Sequence, residues 1–143
     1  MRALSIRQPF AELILRGIKT VEYRSRPTRI IGERFHIYAS KGSGFRVQGS
    51  GRGKAWSRDL AMPGGDERLP AWMLELAEQV GMIEAGALAL LPRGVIVGSA
   101  VIDRVTRNDD DDDLFQWHLA DVQRARTLRK PRGHPQPVWF KAN

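Results

Sequence analysis

The chain has 143 residues, 42% of them hydrophobic, and a formal charge of +7 from 23 Lys and Arg against 16 Asp and Glu. This length suits one domain, 1–143, around one core. The absence of cysteine excludes disulfides, thiolate nucleophiles and cysteine-ligated zinc, and three scattered histidines lack metal-site spacing, so no metal or other cofactor is expected.

Ala3 to Ile6 is a short apolar segment that leads into "RQPFAELILRG". Phe10, Leu13 and Ile14 predict a helix of two to three turns there, opened by Pro9, whose missing N–H would be unpaired at that position, and closed by Gly17 in a left-handed conformation. Thr20 to Arg24 alternates, with Val21 and Tyr23 on one face and Thr20, Glu22 and Arg24 on the other. The pattern predicts a strand that carries its charge outward. "RFHIYAS" alternates in the same way, setting Phe35, Ile37 and Ala39 against His36, Tyr38 and Ser40. Lys41 to Asp59 is rich in glycine and basic residues and is expected to be a mobile, exposed insertion.

"LPAWMLELAEQVG" returns to helical spacing, and Trp72, Met73, Leu76, Ala77 and Val80 are assigned to the core. "GVIVGSAVIDRV", from Gly94 to Val105, is the strongest strand signal, and Gly98 within it implies a bend or a close backbone approach. "LFQWHLADV" is a further strand. "VQRARTLRKPRG" fits a strand or a short helix, and "QPVWFK" is expected to pair back as the last strand. No apolar run approaches the roughly 20 residues of a membrane span, so a cytoplasmic protein without a membrane partner is expected. Several short strands, two or three helices and many turn residues argue for an α+β domain on a closed or nearly closed sheet.

Charge is unevenly placed. Met1 to Lys41 holds nine basic and three acidic residues, and Val122 to the end six basic and none acidic, while five aspartates form one run from Asp109 to Asp113. Such basicity suits a polyanionic partner, since Lys and Arg displace counterions from phosphates; solubility alone is the competing explanation. The aspartate run reads as a solvated loop.

"ALSIRQPFAELILRGIKTVEYRSRP", then "GERFHIYAS", "GVIVGSAVIDRV", "FQWHL" and a closing "GHPQPVWFK" together resemble the ASCH domain, a branch of the PUA-like superfamily. Gly17, Lys19, Glu22 and Arg24 fit its G-x-K-x-x-E-x-R pattern. The resemblance implies a PUA-like β-barrel of about five or six strands with two or three flanking helices, a cleft lined by the lysine–glutamate–arginine element, and handling of RNA or modified nucleotides. Some relatives look like ribonucleases and a subgroup deacetylates N4-acetylcytidine. For that amidohydrolase chemistry the resemblance implies a threonine where this chain has Glu22; Thr20 and Asp103 are the nearest substitutes for the missing hydroxyl and a distant acid.

The expected partner is RNA or single-stranded nucleic acid, with DNA as a second candidate. Lys19 and Arg24 would hold the backbone or a base edge, and Glu22 would accept from a base amine. Ser5, Arg7 and Gln8 would form the opposite wall, joined by Ser40 and Lys41, with Arg26 nearby. Tyr38 and Trp117 are candidate stacking surfaces, whereas Trp72 and Trp139 read as core. Arg126 and Lys130, with Arg124, Arg129 and Arg132, form a second basic stripe. In a metal-independent ribonuclease, Lys19, Glu22 and Arg24 would be catalytic, with Glu22 or His36 as base. The competing explanation for the charged set is an internal ion pair fixing strand to helix.

Overall fold

The computed structural model describes residues 1–43, 71–108 and 113–142. The expected insertion at 41–59 lies outside these residues from 44 onward, as do Asp109 to Asp112. Among the described residues the elements are β1 (Arg2–Gln8), α1 (Phe10–Leu15), β2 (Val21–Arg24), β3 (Arg34–Ser43), α2 (Ala71–Val80), α3 (Ala85–Leu88), β4 (Val95–Arg107), β5 (Phe115–Arg129) and β6 (Trp139–Lys141).

The six strands form one sheet in the order β2-β5-β4-β3-β1-β6. Neighbours are antiparallel except β1 and β3, which run parallel. The sheet curls into a half-barrel that stays open, which corrects the expectation of a closed or nearly closed barrel. Its edge strands are short, four residues in β2 and three in β6, and no ladder joins them among the described residues. Side chains bridge the gap instead: Arg24 of β2 donates from Nη2 to the Ser5 carbonyl of β1 at 2.8 Å, and Trp117 of β5 stacks on Trp139 of β6 with centroids 5.9 Å apart.

The core fills the concave side, with Leu4 and Ile6 of β1, Leu13 and Ile14 of α1, Phe35 and Ile37 of β3, and Val97, Ala100 and Ile102 of β4 all buried. The alternation in "RFHIYAS" therefore placed its apolar face correctly. "LFQWHLADV" and most of "VQRARTLRKPRG" form one 15-residue strand. Periodicity left the second half open because its partner, not its own pattern, makes it a strand: Gln123 and Arg124 pair with Ser99 and Gly98 of β4. Gly98 permits this, since a Cβ there would lie 2.4 Å from the Gln123 carbonyl oxygen and 2.6 Å from Leu15. No helix among the described residues is long and apolar enough to cross a membrane.

Candidate functional site

The site begins at the end of α1, which at six residues is shorter than its sequence pattern implied. Gly17 adopts φ +79°, and its N–H donates to the Ile14 carbonyl at 3.0 Å while that of Ile18 reaches the Leu13 carbonyl at 3.0 Å. These two bonds make a Schellman stop, which a residue bearing a Cβ would enter only with strain. The Lys19 N–H shares the Leu13 carbonyl at 3.1 Å, so the helix end also sets where Lys19 emerges. Two residues later β2 starts, held antiparallel to β5 with Glu22 opposite Trp117.

Lys19 Nζ donates to Glu22 Oε1 at 2.8 Å and also to the Val21 carbonyl, while Arg24 Nε donates to Glu22 Oε2 at 2.9 Å. Lys19 is only 4% exposed and Glu22 8%, which corrects the expectation that β2 turns its charge outward. Both faces of this edge strand are covered. Tyr23 packs on Trp72 of α2 with centroids 5.3 Å apart, and Glu22 turns toward the interior. Burial pushes the Glu22 carboxyl up, but the Lys19 ammonium and the Arg24 guanidinium outweigh it and hold the group below the ordinary glutamate range.

Beside this ion triad lies a cleft of about 860 Å³. The carboxyl-terminal ends of the parallel pair β1 and β3 open into it, bringing Ser5 and Arg7 from one and Tyr38, Ser40 and Lys41 from the other. Phe10, Tyr23, Trp72 and Leu76 supply an apolar wall, and the segment from Pro135 to Val138 closes another side. Four cations, Arg7, Lys19, Arg24 and Lys41, thus face one carboxylate among the described lining residues. Ser5 ties three walls together: its N–H donates to the Val138 carbonyl at 2.9 Å, its hydroxyl donates to the Gln136 carbonyl, and its own carbonyl accepts from Arg24.

The other expected site residues are placed elsewhere. Gln8 is fully buried and structural, its amide donating to the Pro92 carbonyl at 2.9 Å and accepting from the Glu12 N–H at 3.0 Å. Trp117 is 2% exposed within the core, donating to the Arg26 carbonyl at 2.9 Å, so it offers no face to a base. Tyr38 lines the cleft but is buried edge-on against Phe140, which leaves it no stacking surface. Arg26, Arg126 and Lys130 are exposed and do not line the cleft. Nor do His36, whose Nε2 faces Arg129 at 3.3 Å, Thr20 or Asp103, which is exposed beside Arg104. Arg124 of the basic stripe is tied to Glu12 at 2.9 Å.

Two contributions escaped the sequence reading. Trp72 was assigned to the core because helical spacing reports a shared face and not what lies opposite it. Nothing local to Pro135–Val138 says that it borders the cleft, since its partner Ser5 is 131 residues away. Among the described residues no group of three His, Asp or Glu is placed to hold a metal ion.

Comparison with known families finds a match to the model of the ASCH domain over residues 4–133. No curated protein matches the chain.

Proposed function

The chain belongs to the ASCH domain family, a PUA-like family generally linked to RNA binding, and on that premise we propose that its cleft holds an unpaired nucleotide of RNA or another single strand. One observation carries this reading: four cations and an aromatic wall converge on a single concavity of about 860 Å³, within the size range of small-ligand pockets. Duplexes are read by elements that project into a groove or by shape across a helix, whereas a concave pocket suits a splayed-out base with its phosphate. Lys19 and Arg24 meet the phosphate or a base edge from within, Arg7 and Lys41 hold the flanking backbone at the mouth, and Tyr23 with Trp72 takes the base face. Glu22 acts as the group that aligns Lys19 and Arg24, both of its oxygens being engaged by them.

Binding is better supported than strand cleavage by this geometry. A carboxylate held by two cations and titrating below its ordinary range is a weak base near neutrality, and His36 stands outside the cleft.

Fluorescence anisotropy with labelled single-stranded RNA, single-stranded DNA and duplex RNA, at about 50 and 200 mM salt, tests the proposal. Single strands are expected to bind more tightly than duplex. Arg7→Ala and Lys41→Ala are each expected to reduce the slope of log affinity against log salt by about 0.7. Equal affinity for duplex, or unchanged slopes in both variants, overturns it.

A further inference from the structure

The wall from Pro135 to Val138 lies beyond residues 4–133, the part of the chain that the family model matches, yet it closes one side of the cleft. It is anchored at both ends of a short span, because the Ser5 hydroxyl donates to the Gln136 carbonyl and the Ser5 N–H to the Val138 carbonyl. Pro135 and Pro137 flank Gln136 and restrict its backbone further. Gln136 is therefore an exposed side chain on a stiff mount, and its carboxamide makes no hydrogen bond among the described residues. The other polar groups of the cleft are of a different kind. Lys19, Glu22 and Arg24 are engaged with one another, and Arg7 and Lys41 are cations that offer donors and no acceptor, which suits phosphate and does not match the donor–acceptor pair on adenine.

A base that stacks on the Tyr23–Trp72 wall leaves its edge to be read by whatever polar group stands around it. A carboxamide offers a donor and an acceptor side by side, which matches the N6 and N7 positions of adenine in a two-bond contact. We propose that Gln136 is the base-reading residue of this cleft and biases it toward adenine, an inference that rests on the nucleotide-binding reading above. Ser5 is then a positioning residue, acting through the Gln136 backbone. The family-matched part of the domain supplies the charge that holds a nucleotide, and the C-terminal wall of this chain supplies the choice among bases.

The test uses the full chain with short single-stranded oligomers of A, U, C and G, and an A oligomer in which 7-deazaadenine removes the N7 acceptor. Gln136→Ala alters an exposed side chain and leaves the Ser5 bonds, which run to backbone. The wild type is expected to favour the A oligomer about fivefold or more over U and to lose that margin on the 7-deaza oligomer. Gln136→Ala is expected to bind A and 7-deaza-A equally, with the salt slope of the wild type, because phosphate contacts are untouched. If no oligomer binds the wild type at low salt, the nucleotide-binding reading fails and this inference with it. Binding with the same order of bases and the same response to 7-deaza-A in both proteins overturns the assignment of Gln136 alone.

Discussion

Two carboxylates in this protein are each gripped by two cations, and their fates differ. Glu12, on α1, pairs with Arg16 at 2.7 Å and Arg124 at 2.9 Å; Glu22, on β2, pairs with Lys19 at 2.8 Å and Arg24 at 2.9 Å. Around Glu12 the carboxylate is covered but the cations reach into solvent, with side chains 39% and 52% exposed. Around Glu22 the cations are covered too, at 4% and 19%, and the whole set borders a cleft. The first arrangement fastens a helix to a long strand, and water can solvate its arginines whenever the pair opens. In the second, no partner can be withdrawn without leaving charge in a poorly hydrated place. The same pairing chemistry thus makes a seam where cations are wet and, on the proposed function, a preorganised site where they are dry.

The sharpest way to break this comparison is to remove each carboxylate in turn. Glu22→Ala strands two covered cations and is expected to lower the unfolding free energy by about 3–5 kcal/mol. Glu12→Ala releases two arginines to water and is expected to lower it by about 1 kcal/mol. Chemical denaturation of both variants decides; similar losses would show that burial of the cations is not what separates the two sets.

Acid titration probes the same contrast. In both sets burial raises the carboxyl, and the cations more than compensate, so each titrates below the ordinary range. A depressed folded value means that the stabilisation is complete above the unfolded glutamate pKa, about 4.3, and is lost as pH falls through the lower folded value. Unfolding free energy measured by urea titration between about pH 3 and 6 is expected to drop toward acid in the wild type, and less steeply in Glu22→Gln and in Glu12→Gln. A slope in Glu22→Gln equal to that of the wild type would remove the triad from the account.

A loss of stability no larger than that of Glu12→Ala is expected at the hinge between the two sets. Gly17→Ala forces a Cβ into a left-handed conformation at a cost of about 1 kcal/mol. It should also shift Lys19 relative to Glu22 and weaken single-strand binding several-fold, while the Glu12 seam stays closed. Unchanged affinity beside the lost stability would separate the helix stop from the site.

Much of the framework was legible in residue order. The stop at Gly17, the inward set Phe35, Ile37 and Ala39 and the family pattern of Gly17, Lys19, Glu22 and Arg24 are each written within a few positions; a glycine inside an apolar strand marks Gly98 as a point of close approach, although what approaches it, Gln123 and Leu15, lies far along the chain. Local sterics and period-two alternation act at that range. The misplacements share one cause. Gln8 and Trp117 have the chemistry of a binding residue but are absorbed by Pro92 and by Arg26, partners 84 and 91 residues away. Periodicity states which side chains share a face; it does not state which face is later covered, and the Glu22 side of β2, expected to face solvent, turns to the interior while α2 covers the Tyr23 side.

By itself, then, the order of residues determined the strand pattern, the helix stop, the surplus of positive charge and the membership of the lysine–glutamate–arginine set. Tertiary structure alone decided that this set is enclosed, that Trp72 and not Trp117 borders the cleft, that the half-barrel stays open, and that a segment near the C-terminus walls the site. Those outcomes rest on contacts between residues far apart in the chain, such as Ser5 with Gln136, whose energies depend on the packed arrangement of all the strands and not on any stretch read alone.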